Sequence, residues 1–292
     1  MSSTTFALFK GVYGRVRLVA ASYGRHSCSE LAAAIAYRVI FSLVPFVALV
    51  VAVLDIVLPA DQRERFVDWL FGELPGTALD ESVDRALAQS GASAPVVATV
   101  AIATLMWTAS GMMGSVRKAL RIIWGSEARP RYVRAKLRDL ALVVVAGVLL
   151  VGAFVLSVVV QVVVEAGVDL SSAVGVSGIE RFAVVLAELA TSGIATFAAA
   201  LVVYRFVPPV RMSLAALWPG ALFTAVAFQL ATAGFAFYVT RFADFSSVYG
   251  PLGTVLAFLL LVYVLASLAL LGAELVVAGR PRRSTWMRKG PA

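Results

Sequence analysis

Six long apolar runs recur along this 292-residue chain, and they constrain its fold more than any other feature. A helix of about 20 apolar residues crosses the ~30 Å hydrocarbon core of a bilayer. In lipid, backbone polar groups are satisfied only within helices or closed barrels, and these runs are too long and continuous for barrel strands. The runs lie at 31–57, 95–114, 138–164, 182–207, 214–240 and 248–278. The sequence therefore predicts an all-α, polytopic membrane protein with six transmembrane helices.

Three further segments lie outside the predicted spans. Residues 1–30 carry apolar side chains at three- and four-residue steps, which predicts an interfacial helix on the cytoplasmic leaflet. Residues 58–94 are predicted to form two short amphipathic helices over the outer face of the bundle, as structural cover or, alternatively, as a gating lid. Residues 279–292 form a basic cytoplasmic tail. The expected organisation is therefore a transmembrane domain at 31–278 between two cytoplasmic segments.

The charged residues are scarce and unevenly placed. They make up 14% of the chain, against about 25% in a typical soluble domain. Nineteen of the 25 Lys and Arg residues lie at the two ends of the chain and in the two segments that share their side of the membrane. A bias of this kind in short loops places those segments in the cytoplasm. We therefore predict a multi-pass protein of the cytoplasmic (inner) membrane with both termini inside.

The net charge of +8 could also indicate nucleic-acid binding. The basic stretch 117–138 includes Trp124 and Tyr132, and such interleaving of basic and aromatic residues can bind RNA. Here, however, the stretch joins two membrane spans, where anionic headgroups attract Lys and Arg. We expect membrane lipids, with their anionic headgroups at the basic cytoplasmic segments, as partners and no nucleic acid. The sequence is also compatible with a homo-oligomer.

The sequence contains no recognisable catalytic constellation. It lacks the phosphate-binding GxxxxGK[ST] pattern, the HExxH zinc motif and the GxSxG nucleophile turn. Its single cysteine, Cys28, excludes an intramolecular disulfide, and its single histidine, His26, leaves too few ligands for a zinc cluster. Both are interpreted as ordinary residues in the polar approach to the first span. We therefore expect no enzyme activity, no metal and no cofactor.

Two ionisable residues are predicted within the cytoplasmic half of the bilayer. Arg38 lies in the first span and Glu274 in the last, at similar depths from the cytoplasmic surface. Because charges inside a membrane are costly unless paired, we predict an Arg38–Glu274 ion pair that joins the first and last helices. The alternative is that Arg38 extends its side chain to the interface without a partner.

A second polar group is predicted in the outer half. Glu188 in the fourth span lies near the depth of Asp55 in the first, with Gln229 of the fifth span somewhat deeper. These three residues could line an outward-facing cavity that holds a cation, a proton or a lipid headgroup. Alternatively, a protonated Glu188 forms a hydrogen bond to a neighbouring helix, because burial raises the pKa of a carboxyl group.

Four stretches resemble the YihY/BrkB family, long labelled ribonuclease BN-like. They are LAAAIAYRVIFSLVPF (31–46), WTASGMMGSVRKALRIIWG (107–125), WPGALFTAVAFQL (218–230) and VYGPLGTVLAFLLLVYVLASLALLGAEL (248–275). The most specific positions are Pro219, Gly220, Tyr249, Gly250, Gly272 and Glu274. The resemblance implies a six-helix inner-membrane protein of undefined activity, with transport or envelope roles. The family's ribonuclease label has no support in these residues.

Three functions are consistent with these features. The first is a transporter of lipids or amphipathic envelope precursors, which suits the interfacial helices and the basic inner rim. The second is a cation/proton antiporter with Glu188 or Glu274 as the titrating group. The third is a non-catalytic scaffold that binds envelope enzymes through 117–138. A ribonuclease ranks last.

Overall fold

The structure is a computed structural model, and every regular element in the residues it describes is helical. The described residues are 14, 17–57, 94–126, 136–145, 152, 179–208, 212–242 and 251–279. Five helices run through these ranges: α1 (Cys28–Val57), α2 (Ala94–Ile123), α3 (Ile179–Phe206), α4 (Leu214–Phe242) and α5 (Pro251–Ala278). Residues 17–25 and 136–145 are helical as well.

Four of these helices contain a segment long and apolar enough to cross a bilayer. The segments are Thr99–Ile123, Leu189–Phe206, Leu214–Val239 and Val255–Ala278. Their mean hydropathy ranges from 1.2 to 2.7, and most of their side chains are not buried inside the protein. Apolar helices that expose such side chains require lipid around them. The chain is therefore a helical membrane protein.

The predicted span ends agree with four helices within a few residues, but α2 differs. The second span was predicted to end at residue 114, whereas α2 continues to Ile123. Consequently Arg117, Lys118 and Arg121, which were assigned to a loop, lie on this helix. The reason is tertiary packing, because Ala119, Leu120 and Ile123 on the same turns are buried and extend the helix beyond the apolar run.

Several predicted elements lie partly or wholly outside the described residues. The N-terminal interfacial helix is described as helix only at 17–25, and a turn at 26–27 separates it from α1. The predicted span 138–164 is described as helix up to residue 145. The two amphipathic helices predicted in 58–94 fall outside the described ranges except for the first residue of α2, and so does the tail after residue 279.

Helix α5 occupies the middle of the bundle. It packs against α4 on one side and against α1 on the other, with a smaller contact to α2. Helix α1 in turn packs extensively on α2, and α4 packs on α3. The resulting order across the bundle is α2, α1, α5, α4, α3. The last span therefore joins two antiparallel helix pairs.

Among the side chains that the structure describes, the buried ones cluster at one end of the bundle, which we call the inner end because the sequence predicts it to be cytoplasmic. The core cluster includes Cys28 and Ala32 at the start of α1, Leu120 near the end of α2 and Leu217 at the start of α4. Tyr204 and Ala273 contribute from the last turns of α3 and α5, together with other residues of the same turns. The inner end is thus a packed protein core.

Candidate functional site

Two family-motif glycines, Gly220 and Gly272, lie where α4 and α5 cross in close contact. A Cβ atom placed on Gly272 would lie 2.7 Å from the hydroxyl oxygen of Tyr204 and 2.8 Å from the carbonyl oxygen of Gly220, and even closer to Thr224 Oγ1. A Cβ on Gly220 would collide with the Gly272 carbonyl and with Val276. Only the absence of side chains lets the two backbones approach this closely. Gly220 and Gly272 therefore hold α4 against α5.

A buried hydroxyl pair locks the same crossing to α3. Tyr204 donates a hydrogen bond to the carbonyl oxygen of Ala269 at 2.5 Å, and its oxygen lies 2.8 Å from Thr224 Oγ1. Thr224 donates to the carbonyl oxygen of Gly220 at 2.9 Å. The Tyr204 ring packs at a tilt on Trp124, with ring centroids 6.1 Å apart. These contacts join α3, α4 and α5 with polar groups that are satisfied internally.

Glu274 is buried at the inner end, with 1% of its surface exposed. Its Oε1 atom lies 2.5 Å from Nδ1 of His26, and Cys28 Sγ donates a weak hydrogen bond to the same oxygen at 3.7 Å. Cys28 precedes the predicted first span. Burial and the neighbouring Glu274 carboxylate raise the pKa of its thiol to about 12. Glu274 thus connects α5 to the chain just before and at the start of α1.

The structure does not form the predicted Arg38–Glu274 pair. The partner of Glu274 is His26, which the sequence analysis treated as an ordinary residue. The Arg38 guanidinium lies against α2 instead, where its Nη1 atom is the nearest neighbour of Gly111. The depth of a residue fixes its position along a helix but not around it, and Arg38 projects toward α2 rather than α5. Glu274 does join the last helix to the first, but through a different residue.

Arg38 lines a cavity of about 500 Å³ between α1 and α2. Its other lining residues are Ala34, Tyr37, Phe41, Trp107, Thr108 and Gly111. Tyr37, Phe41 and Trp107 are exposed, and the Tyr37 and Phe41 rings lie 4.7 Å apart between centroids. The cavity therefore combines one cation with aromatic walls that are accessible from outside the bundle.

A second cation lies beside this cavity. The Nζ atom of Lys136 is 4.9 Å from the centroid of the Trp107 ring, which is within the range of a cation–π contact. Lys136 is the first residue of the helical segment 136–145 and belongs to the basic stretch 117–138. Two positive charges from separate elements thus stand next to the same aromatic wall.

Of the predicted outer cluster, the structure describes the side chain of Gln229 alone. Its Nε2 atom donates to the carbonyl oxygen of Leu189 at 3.0 Å and to Ser192 Oγ at 2.5 Å. The side chains of Glu188 and Asp55 lie outside the described set, as do Tyr249 and Gly250. Gln229 borders a groove of about 410 Å³ between α3 and α4 whose other lining side chains are nearly all apolar. Gln229 therefore ties α4 to α3 next to a lipid-like groove.

The helical segment 136–145 is anchored to its neighbours by two arginines. Arg117 on α2 donates to the buried Asp139 at 2.5 Å. Arg138 donates to the carbonyl oxygen of Phe206 and, at 3.2 Å, to that of Pro208, at the carboxyl end of α3. A cation there complements the unpaired carbonyl groups of the helix end. Both arginines were counted among the cytoplasmic charges of 117–138, and the contact between Arg117 and Asp139 was not predicted from the sequence.

No group of three or more His, Cys, Asp or Glu residues within the described ranges is arranged to hold a metal ion. The polar groups described above are the internally paired contacts at the inner end, the Gln229 contacts to α3 and the open Arg38 cavity.

Comparisons with known proteins agree with the resemblance seen in the sequence. The family model described as virulence factor BrkB matches residues 19–291. A UPF0761 membrane protein of Nitrosospira multiformis is 27% identical over 257 residues, which cover 87% of this chain and 58% of the relative. A UPF0761 membrane protein of Chromohalobacter salexigens is 27% identical over 274 residues, covering 92% of this chain and 64% of the relative.

A third relative, a UPF0761 membrane protein of Aeromonas salmonicida, is 28% identical over 245 residues, which cover 82% of this chain and 80% of the relative. The chain spans less than two thirds of the first two relatives' length. No solved structure matches the chain.

Proposed function

Because this chain belongs to the virulence factor BrkB family of membrane proteins, we propose that it is a transporter of lipids or amphipathic envelope precursors. We propose that it is not an enzyme. It spans the cytoplasmic membrane six times, with both termini in the cytoplasm. Membrane lipids are its partners, and their anionic headgroups bind to its basic inner segments.

The observation that carries the proposal is the Arg38 cavity. Arg38 is seven residues after the start of the predicted first span at residue 31, and at about 1.5 Å per residue this corresponds to a depth of roughly 10 Å. An amphipathic substrate has a charged headgroup and apolar chains, and the cavity offers a guanidinium next to exposed aromatic rings. The chemistry of the cavity matches both parts of such a substrate.

The position of the cavity also supports transfer of a lipid across the bilayer rather than binding of a lipid at the membrane surface. A charged headgroup in hydrocarbon is costly, so a transporter needs a polar group partway across the bilayer. Arg38 lies in the predicted first span, 31–57, and the aromatic walls open outside the bundle. A lipid could therefore enter from the side while its chains remain in the bilayer.

The test is a leaflet-transfer assay with purified protein in liposomes. Phosphatidylglycerol carrying a headgroup-proximal fluorophore is placed in both leaflets, and a membrane-impermeant reductant quenches the outer pool. We expect protein-containing liposomes to lose the protected inner-leaflet signal over time. If that signal remains protected with and without an ion gradient, the protein does not transfer lipid and the proposal is wrong.

A further inference from the structure

We propose that the Arg38 cavity is a binding site for an anionic phospholipid, with the phosphate on the Arg38 guanidinium and an acyl chain along Tyr37, Phe41 and Trp107. This inference deepens the proposed function, on which it rests, by naming the substrate class and the residues that select it. The occupant is a lipid of the surrounding bilayer rather than a soluble anion.

The charge balance of the cavity selects an anion. No carboxylate among the described residues pairs with Arg38, whereas Arg117 and Glu274 each have a partner. The lining residues that the structure describes contribute one cation and no acidic group. An arginine in the membrane part of a helix needs a counter-charge, and a lipid phosphate is the most abundant anion at that boundary. The planar guanidinium can hold two phosphate oxygens at once.

Lys136 strengthens this preference. Its ammonium group sits against Trp107, which forms one wall of the cavity. It therefore raises the positive potential at the cavity without closing the space in front of Arg38. Two cations favour a lipid with net negative charge over a zwitterionic one, because the choline or ethanolamine group of the latter would be repelled.

The walls select a lipid rather than a free anion. Tyr37, Phe41 and Trp107 expose ring surface to the cavity region, with 71% of Trp107 exposed. A free phosphate ion would leave this apolar surface without a partner. An acyl chain that lies along the rings gains contact area while its headgroup reaches Arg38. The cavity volume of about 500 Å³ holds a headgroup and the first part of a chain rather than a whole lipid.

Gly111 provides a way to block the cavity without changing its charge. A Cβ atom there would contact only the movable end of Arg38, with no other heavy atom within 4 Å. Gly111→Leu should therefore fold while its side chain fills the lipid-facing space. Lys118→Gln is the matched charge control, because Lys118 is an exposed residue of α2 that does not line the cavity.

The experiment measures lipid binding to the purified full chain in detergent by native mass spectrometry. Dioleoyl phosphatidylglycerol and dioleoyl phosphatidylcholine are titrated separately, and inorganic phosphate is added as a competitor. We expect tighter binding of phosphatidylglycerol, weakened about tenfold or more by Arg38→Gln and about fivefold by Lys136→Gln. Gly111→Leu should also weaken binding, and Arg38→Lys should restore part of it. Lys118→Gln, which removes a headgroup-attracting charge outside the cavity, should weaken binding much less than Arg38→Gln.

Each of three outcomes would overturn the inference. These are equal binding of the two lipids, equal effects of Arg38→Gln and Lys118→Gln, and displacement of the lipid by inorganic phosphate alone. Circular dichroism and gel filtration confirm that each variant is folded. Because this assay involves no transfer between leaflets, selective binding without transfer would refute only the proposed transport. Transfer without selective binding would refute only the lipid site.

Discussion

The α4–α5 crossing and the α1–α2 cavity differ in how they treat polar groups. At the crossing, backbones meet at Gly220 and Gly272, and the nearby Glu274 is buried against His26. In the cavity, Arg38 faces open space beside the exposed Trp107. Gly220, Gly272 and Glu274 thus build the bundle, whereas Arg38, the group available to a ligand, is not one of the specific motif positions. We propose that this difference separates structural from functional residues.

The largest effect is expected at the glycine crossing. Gly272→Ala places a methyl group against the Gly220 backbone and the Tyr204 hydroxyl, neither of which can move without separating helices. We expect a loss of about 3 kcal/mol of stability, or failure to fold, from this overpacking. Thermal unfolding of the purified protein in detergent measures it. Gly234→Ala on α4, which meets open space, is the control and should be neutral or slightly stabilising. Equal melting temperatures for the two variants would contradict the close crossing.

A smaller loss is expected when the buried pair at the inner end is broken. His26→Ala leaves the Glu274 carboxylate buried with only the weak Cys28 contact. We expect a cost of about 2 kcal/mol, below the 3–5 kcal/mol of a fully buried pair, because His26 is 31% exposed. In the double variant His26→Ala/Glu274→Gln, where no charge is left unpaired, part of the stability should return. If the double variant is no more stable than His26→Ala, Glu274 does not depend on this partner.

Cys28 offers a chemical reporter of the same contact, since it is the single cysteine of the chain. Because its pKa is raised to about 12, the reactive thiolate is scarce at pH 8, and alkylation by iodoacetamide should be slow. The rate should rise with pH up to that value as the thiol ionises. Glu274→Gln removes the adjacent negative charge, so it should lower the pKa and speed alkylation at pH 8. Arg38→Gln should leave the rate unchanged, and an equal change in both variants would contradict the separation of the two regions.

The smallest effect on stability is expected in the cavity. Arg38→Gln removes no ion pair among the described residues. The free energy of unfolding should therefore change by no more than an ordinary surface substitution changes it, about 0.5 kcal/mol. Thermal unfolding under the conditions used for Gly272→Ala provides the comparison. A loss as large as that of His26→Ala would indicate that Arg38 is a structural residue.

The sequence allowed the helices to be predicted because apolar runs of bilayer length leave the backbone few alternatives. It also singled out Gly220 and Gly272 as positions of the family resemblance, and the structure shows that α4 and α5 approach closely at these glycines. The predicted end of the second span was wrong, since hydropathy measures lipid contact and not the packing that buries Leu120. Hydropathy thus predicts the part of a helix that lipid surrounds, but not the part that protein surrounds.

The candidate sites were harder to predict than the helices. His26 and Glu274 are 248 residues apart in sequence, and no local pattern indicates their contact. Arg38 was singled out as a charge within the predicted first span, but its azimuth around α1 was unknown, so its neighbours were predicted wrongly. Gln229 lies next to the backbone of Leu189, close to where the outer cluster was expected, and the participation of Glu188 and Asp55 remains a prediction.

The central claim is that the open cavity, and not the packed crossing, carries the function. The most direct measurement is the rate of leaflet transfer of labelled phosphatidylglycerol by Arg38→Gln compared with Lys118→Gln, each reconstituted at equal protein density. The account predicts that Arg38→Gln loses most of its transfer activity while its melting temperature and that of Lys118→Gln remain at the wild-type value. Equal transfer rates in these two variants and the wild type would contradict it.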